Sequence, residues 1–99
     1  SRATLAIQTV VALVRDQELI IFGEGIELFV EPVPREFAGM TLADSEIGKR
    51  SGLNVIGIRK GHDFEANPSA GVMLDAGAEL VMLGTVEQRQ TFDKLRDDL

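Results

Sequence analysis

The chain has no cysteine, no tryptophan, no tyrosine and a single histidine. Without cysteine, disulfides and thiolate metal sites are excluded. The lone His62 follows the turn residues Lys60-Gly61 and precedes Asp63. Adjacent residues do not orient one another as the members of a catalytic triad do, so His62 reads as an exposed turn histidine. Cationic charge is also in deficit: ten Lys and Arg stand against sixteen Asp and Glu, a formal net charge of -6. Non-specific nucleic-acid and anionic-lipid binding draw their affinity from basic patches, so the composition predicts no nucleic-acid partner. Long apolar runs are missing too: no stretch reaches the ~18 residues that a membrane span needs.

Two further motifs fail on inspection. Gly23-x-Gly25 has the start of a phosphate loop, but position 28 is Leu where the dinucleotide fingerprint needs glycine, and a strand pattern follows where a helix belongs. Glu24, Glu27 and Glu31, and also Asp44 and Glu46, form two acidic clusters, yet no DxDxDG loop occurs. Calcium needs several oxygens converging at about 2.3–2.6 Å, and solvated carboxylates are the simpler reading. The reading is therefore of a non-enzyme, with no catalytic residue and no metal ligand to name.

What is present is one domain's worth of ordinary globular sequence, 99 residues with 44% hydrophobic and 26% charged. The chain opens at Ser1-Arg2 without Met and runs directly into an apolar helical pattern, so an upstream segment is expected. Residues 3–15 place Leu5, Ala6, Thr9, Val10, Leu13 and Val14 at helical spacing, while Ile7 and Val11 widen the apolar surface almost all round. A helix apolar on most sides must be covered on most sides, which predicts a partner contact.

Residues 18–22 read as a short strand and Gly23-Glu24-Gly25 as a turn. Residues 26–31 alternate, with Ile26, Leu28 and Val30 on one face and Glu27, Phe29 and Glu31 on the other. That is a strand with one half-exposed side, barred from continuing centrally by Pro32 and Pro34. Thr41 opens a helix that Gly52 stops at Ser51, with Leu42 and Ile47 pointing inward. Leu53 to Arg59 is a buried strand, Lys60-Gly61 a hairpin turn, and Asp63 to Ala66 the returning strand. Val72 to Leu74 leads into the turn Asp75-Ala76-Gly77 and a second buried strand, Ala78 to Leu83. Thr85-Val86-Glu87-Gln88 is a capping box for a last helix, whose apolar face is Phe92, Leu95 and Leu99 and whose Arg89, Asp93, Arg96 and Asp97 are expected in solvent.

The order of these elements resembles the TrkA-C domain, the C-terminal lobe of the regulator-of-potassium-conductance (RCK) module. The resemblance rests on Val30 to Pro34, Ala38 to Leu42, Gly52 to Ile58, Lys60-Gly61, Asn67-Pro68, Leu74 to Leu80 and Gly84 to Gln88. Each piece is turn and core grammar; the ordered set carries the likeness. It implies an α+β lobe over residues 18–99, with a mixed or antiparallel sheet and two flanking helices. Residues 1–17 would be the connecting helix to an upstream Rossmann-type nucleotide-binding lobe.

The resemblance also implies a cytoplasmic homodimer, joined to the membrane pore of a potassium channel or transporter. A small-molecule or ion effector would bias its geometry and hence gating. The same lobe occurs in anion and dicarboxylate transporters and in transcription regulators. A stand-alone cation-binding protein is the competing reading, motivated by the acidic clusters and His62. Some family members bind cyclic di-AMP across the dimer interface, through a helix and strand that correspond here to Ile47, Gly48, Lys49, Arg50, Asn54 and Val55. Those members carry Arg after the Ile, where this chain has Gly48. The bidentate phosphate contact of a guanidinium is then lost, and Lys49 and Arg50 leave the helix in other directions.

Overall fold

The structure, a computed structural model, describes residues 20–21 and 23–99. The predicted connecting helix over residues 1–17 lies outside these residues. Five strands form one sheet: β1 (Ile20–Ile21), β2 (Ile26–Pro32), β3 (Asn54–Lys60), β4 (Asp63–Ala66) and β5 (Glu79–Thr85). Their order across the sheet is β1-β2-β5-β3-β4, and every pairing is antiparallel. Among the described residues, three helices accompany the sheet: α1 (Leu42–Ser45), α2 (Ile47–Ser51) and α3 (Val86–Asp97), with a 3₁₀ turn at Arg35–Phe37.

The register divides the sheet into two faces. Phe29 stands opposite Met82, which stands opposite Val55, and Leu80 opposite Ile58. Phe29, Met82, Leu80 and Ile58 form the core with Phe37, Ile47, Leu53, Leu74 and Phe92, and half-buried Val55 packs against it. Leu28 opposite Leu83 and Val30 opposite Val81 occupy the reverse face. The β2 alternation is therefore as read from the sequence, but its half-exposed side is the apolar one: Glu27 and Phe29 are buried, and Ile26, Leu28 and Val30 are half-buried. A glutamate turns inward here because α3 supplies a cation to meet it. Arg89 Nε donates to Glu27 Oε1 at 2.6 Å.

That contact corrects the expectation that Arg89, Asp93 and Arg96 are simply solvated; Asp97 is exposed, as expected. Arg89 reaches Glu27, Arg96 reaches Glu31 at 3.1 Å, and Asp93 lies within 3.7 Å of Arg89 and 3.4 Å of Arg96. The polar face of α3 is thus tied down onto β2, while Phe92 and Leu95 are buried. Thr85 closes a reciprocal cap with Gln88, as the sequence predicts. Leu99 falls beyond the end of α3 and is exposed, so it is not part of the apolar face assigned to it.

The predicted helix over 41–51 is two short helices. Glu46 adopts φ 56°, ψ 26°, in the left-handed region, and breaks the run between α1 and α2. Its N–H still bonds the Ala43 carbonyl at 3.1 Å, a tight closure that starts a new helical axis. Gly52 ends α2 at φ 83°, as expected. The predicted approach Val72 to Leu74 forms a single bridge, Met73 to Thr41, rather than a strand.

Candidate functional site

The site read from the sequence lies where α2 runs into β3. Two buried serines build this corner. Ser45 Oγ donates to the Leu42 carbonyl at 2.6 Å and accepts the Ile47 N–H at 3.3 Å. Ser51 Oγ donates to the Ile47 carbonyl at 2.6 Å and accepts the Leu53 N–H at 3.1 Å. Each hydroxyl bridges a carbonyl before a helix end and an N–H after it, so the chain reverses direction inside the protein with both serine hydroxyls satisfied. The loop on the far side is held by backbone bonds from Leu42 N–H to the Val72 carbonyl, 2.8 Å, and Ala43 N–H to the Ala70 carbonyl, 2.9 Å.

Between these elements is an open cleft of about 310 Å³. Leu42 and Ala43 form one wall, Pro68 and Ala70 another, and Gly48, Leu53, Asn54 and Val55 the remainder. Of the six residues named from the sequence, the structure brings Gly48, Asn54 and Val55 together in it. Ile47 is fully buried in the core and holds α2 in place from behind. Lys49 and Arg50 are exposed and outside the lining, and Lys49 is 3.8 Å from Glu46. Asn54 is the one side-chain amide lining the cleft, exposed at the first position of β3. It offers both a donor and an acceptor beside the apolar surface of Leu42, Val55 and Pro68.

Leu42, Ala43, Leu53, Pro68 and Ala70 were not legible as lining residues. They meet only because the loop after Pro68 returns to α1 through two backbone bonds, and backbone bonds leave no side-chain signature. The buried serines were legible in principle: each precedes a left-handed residue, Glu46 or Gly52, at a helix end.

Electrostatics separate this corner from the rest of the lobe. No charged side chain lines the cleft. The resolved shifts gather at α3 and β2: burial is the largest influence on Glu31 and pushes its carboxyl above the usual range, against the opposing pull of Arg96. The hydrogen bond to Glu27 holds the Arg89 guanidinium firmly protonated. Among the described residues, no group of three or more His, Asp or Glu is placed to hold a metal ion, and no helix is long and apolar enough to cross a membrane.

The architecture is that of a small α+β lobe with an antiparallel sheet, helices packed on one face and an open cleft at the helix–strand corner. Residues 26–96 match the TrkA-C domain, and the chain belongs to that family. Among solved structures it is similar to the RCK domain of GsuK, with 31% identity and a TM-score of 0.70 over 77% of this chain and 17% of that one. It therefore spans about a sixth of the GsuK chain's length.

It is also similar to the RCK C domain of the potassium transport protein KtrA in complex with cyclic di-AMP, with 26% identity and a TM-score of 0.64 over 69% of this chain and 80% of that one. The RCK_C domain dimer of S. agalactiae BusR, also in complex with cyclic di-AMP, shares the fold at 12% identity and a TM-score of 0.63, over 71% of this chain and 89% of that one. BusR has further been solved with promoter DNA. The fold by itself thus does not exclude nucleic acid from the whole protein, and the expectation of no such partner rests on acidic charge alone. No curated protein sequence matches the chain.

Proposed function

We propose that this lobe is a non-catalytic, dimerising regulatory module of a cytoplasmic potassium channel or transporter assembly, and that its cleft takes a small effector. The observation that carries the reading is the meeting of Gly48, Asn54 and Val55 in one open cleft of a TrkA-C lobe. An open cleft on one chain encloses little. Two copies facing each other across a two-fold axis would close both halves around a ligand, each contact occurring twice. Binding across such an interface favours one subunit arrangement over another, and a difference of about 1–3 kcal/mol suffices to bias a pore.

The residues present fit part of cyclic di-AMP. The Asn54 amide suits the hydrogen-bonding edge of a base, and Leu42, Val55 and Pro68 suit its faces. The phosphates find no cation in the lining, since Gly48 stands where cyclic di-AMP binders carry Arg. Cyclic di-AMP is therefore expected to bind weakly, and to bind more tightly once a guanidinium is restored. A Cβ at Gly48 would meet only the Leu53 carbonyl, at 3.4 Å, so the backbone tolerates a side chain there.

The test is sedimentation of the 99-residue chain at tens of micromolar, with calorimetric titration of cyclic di-AMP into it and into Gly48→Arg and Asn54→Ala. The reading expects a dimer, affinity raised about tenfold by Gly48→Arg, and binding lost in Asn54→Ala. A strictly monomeric chain would refute the dimeric lobe. A Gly48→Arg variant that binds no better would remove the cleft from the ligand's path. A second reading, the same lobe within a transcription regulator, draws on the fold shared with BusR; the residues upstream in the full chain separate the two.

A further inference from the structure

β4 is an edge strand of the sheet, and among the described residues no strand pairs with its outer side. Its four residues, Asp63–Ala66, are exposed along their whole length. The direction of its unpaired backbone groups follows from the register. Lys60 pairs with Asp63 and Ile58 with Glu65, and the next pair in phase is fixed by the bond from Asn67 N–H to the Ile56 carbonyl, 2.9 Å. Hydrogen-bonded and non-bonded pairs alternate in an antiparallel ladder. Asp63 and Glu65 therefore bond inward to β3, while Phe64 and Ala66 direct their N–H and C=O outward. Phe64 does not fold over this edge. Its ring lies on Gly57, where an added Cβ would strike it.

Beside the edge, on the core face, is a groove of about 380 Å³. Ile58, Val72 and Ala78 give it an apolar floor, and Met73, 51% exposed, stands at its lip. Asp63, Glu65 and Asp75 surround it with one cation, Lys60, which is bound to Asp75 at 2.9 Å. Asp63 and Glu65 make no ion pair among the described residues.

A second copy is a poor occupant. If β4 paired with itself antiparallel through Phe64 and Ala66, Glu65 would face Glu65 of the other copy. If it paired through Phe64 and Phe64, Asp63 would face Glu65 twice. Like charges directly opposite one another destabilise a ladder. The same carboxylates suit the opposite charge. We propose that β4 and its groove dock an extended, lysine- or arginine-bearing segment of a partner protein. That segment adds a sixth strand through the Phe64 and Ala66 backbone, sets its basic side chains against Asp63 and Glu65, and places an apolar side chain against Ile58, Val72 and Met73. Main-chain bonds supply affinity in this mode, and alternate side chains supply selectivity.

Residues one, three and five of an added strand share the groove face, so the probe is the blocked peptide Lys-Thr-Val-Thr-Lys, titrated into the isotope-labelled 99-residue chain, with Glu-Thr-Val-Thr-Glu as control. The expected result is slowed exchange of the Phe64 and Ala66 amides with the basic peptide only. Affinity should fall about tenfold in Glu65→Lys and further in Ala66→Pro, which removes an outward N–H without touching a bond to β3. A fold check by the unperturbed shifts of Phe29, Met82 and Phe92 accompanies each variant. Equal binding of the acidic peptide, shifts centred away from β4, or no binding at millimolar peptide would overturn the proposal. So would self-association of the chain abolished by Ala66→Pro, which would make a second copy the occupant.

Discussion

The two ends of the helical layer are built on opposite principles. Where α3 lies on β2, charge is brought inward and paired: Glu27 is buried against Arg89, and Glu31 is tied to Arg96. A twelve-residue helix with a reciprocal cap presents Phe92 and Leu95 to the core. Where α1 and α2 meet β3, the helices have four and five residues, no charged side chain lines the cleft, and serine hydroxyls, backbone bonds and the buried Ile47 and Leu53 hold the corner. The first region fixes the lobe. The second leaves surface available, because elements this short bury little apolar area and stop before they cover the cleft. A charge-tied scaffold and an open cleft thus occur in one small domain.

The comparison breaks most visibly at Arg89. Arg89→Ala leaves Glu27 buried without its cation and is expected to cost about 3 kcal/mol in chemical denaturation. Glu27→Leu combined with Arg89→Leu should recover most of that loss, since a buried pair replaced by apolar residues is close to neutral. A double variant as unstable as the single one would mean that Glu27 is not the source of the penalty.

At the other end the expected effects are smaller and come from the backbone. Gly52→Ala forces a Cβ into the left-handed region and within 2.9 Å of the Gln88 amide. It should lower stability by about 1–2 kcal/mol. Gly48→Ala has the opposite sign. Glycine inside a helix gives up backbone freedom, so alanine at this exposed, unobstructed position should add about 0.5–1 kcal/mol to stability. Thermal melts of the two variants test whether the corner tolerates change at Gly48 and resists it at Gly52.

The smallest effect is a pH dependence. Glu31 has its carboxyl raised above the ordinary value of 4.5, chiefly by burial. A raised carboxyl pKa means that the folded state holds the proton more tightly than the unfolded chain. Its contribution is present below the ordinary value and fades as pH rises through the raised one. The stability difference between the wild-type chain and Glu31→Gln should therefore shrink on acidification and widen above pH 4.5 to the wild type's disadvantage, with Arg96 offsetting part of it. A difference that does not change with pH would indicate that Arg96 cancels the burial fully.

Element types along the chain were readable because each rests on local grammar. The Thr85 cap, the Gly52 stop, the Lys60-Gly61 hairpin and the alternation of β2 are all set by residues within a few positions of one another. The misreadings share one cause. Helical spacing in 41–51 carried no mark of the left-handed Glu46. The charges of α3 were taken for a solvated face because their partners on β2 lie about sixty positions away in sequence, at Glu27 and Glu31. Half of the residues named, Gly48, Asn54 and Val55, line one cleft because a helix end and a strand start adjoin in the chain. The opposite wall, Pro68 and Ala70, was not, because it arrives through the backbone of a distant loop.

What the sequence determined by itself was the order of strands, turns and helices, and through that order the family. Propensity, capping and alternation act over a few residues and leave their pattern in the residue types. Only the tertiary structure decided which face of β2 is buried, which carboxylates are paired, and what closes the cleft. Those outcomes depend on contacts between segments that no local pattern encodes, and a buried charge is stable only where another part of the chain brings its partner.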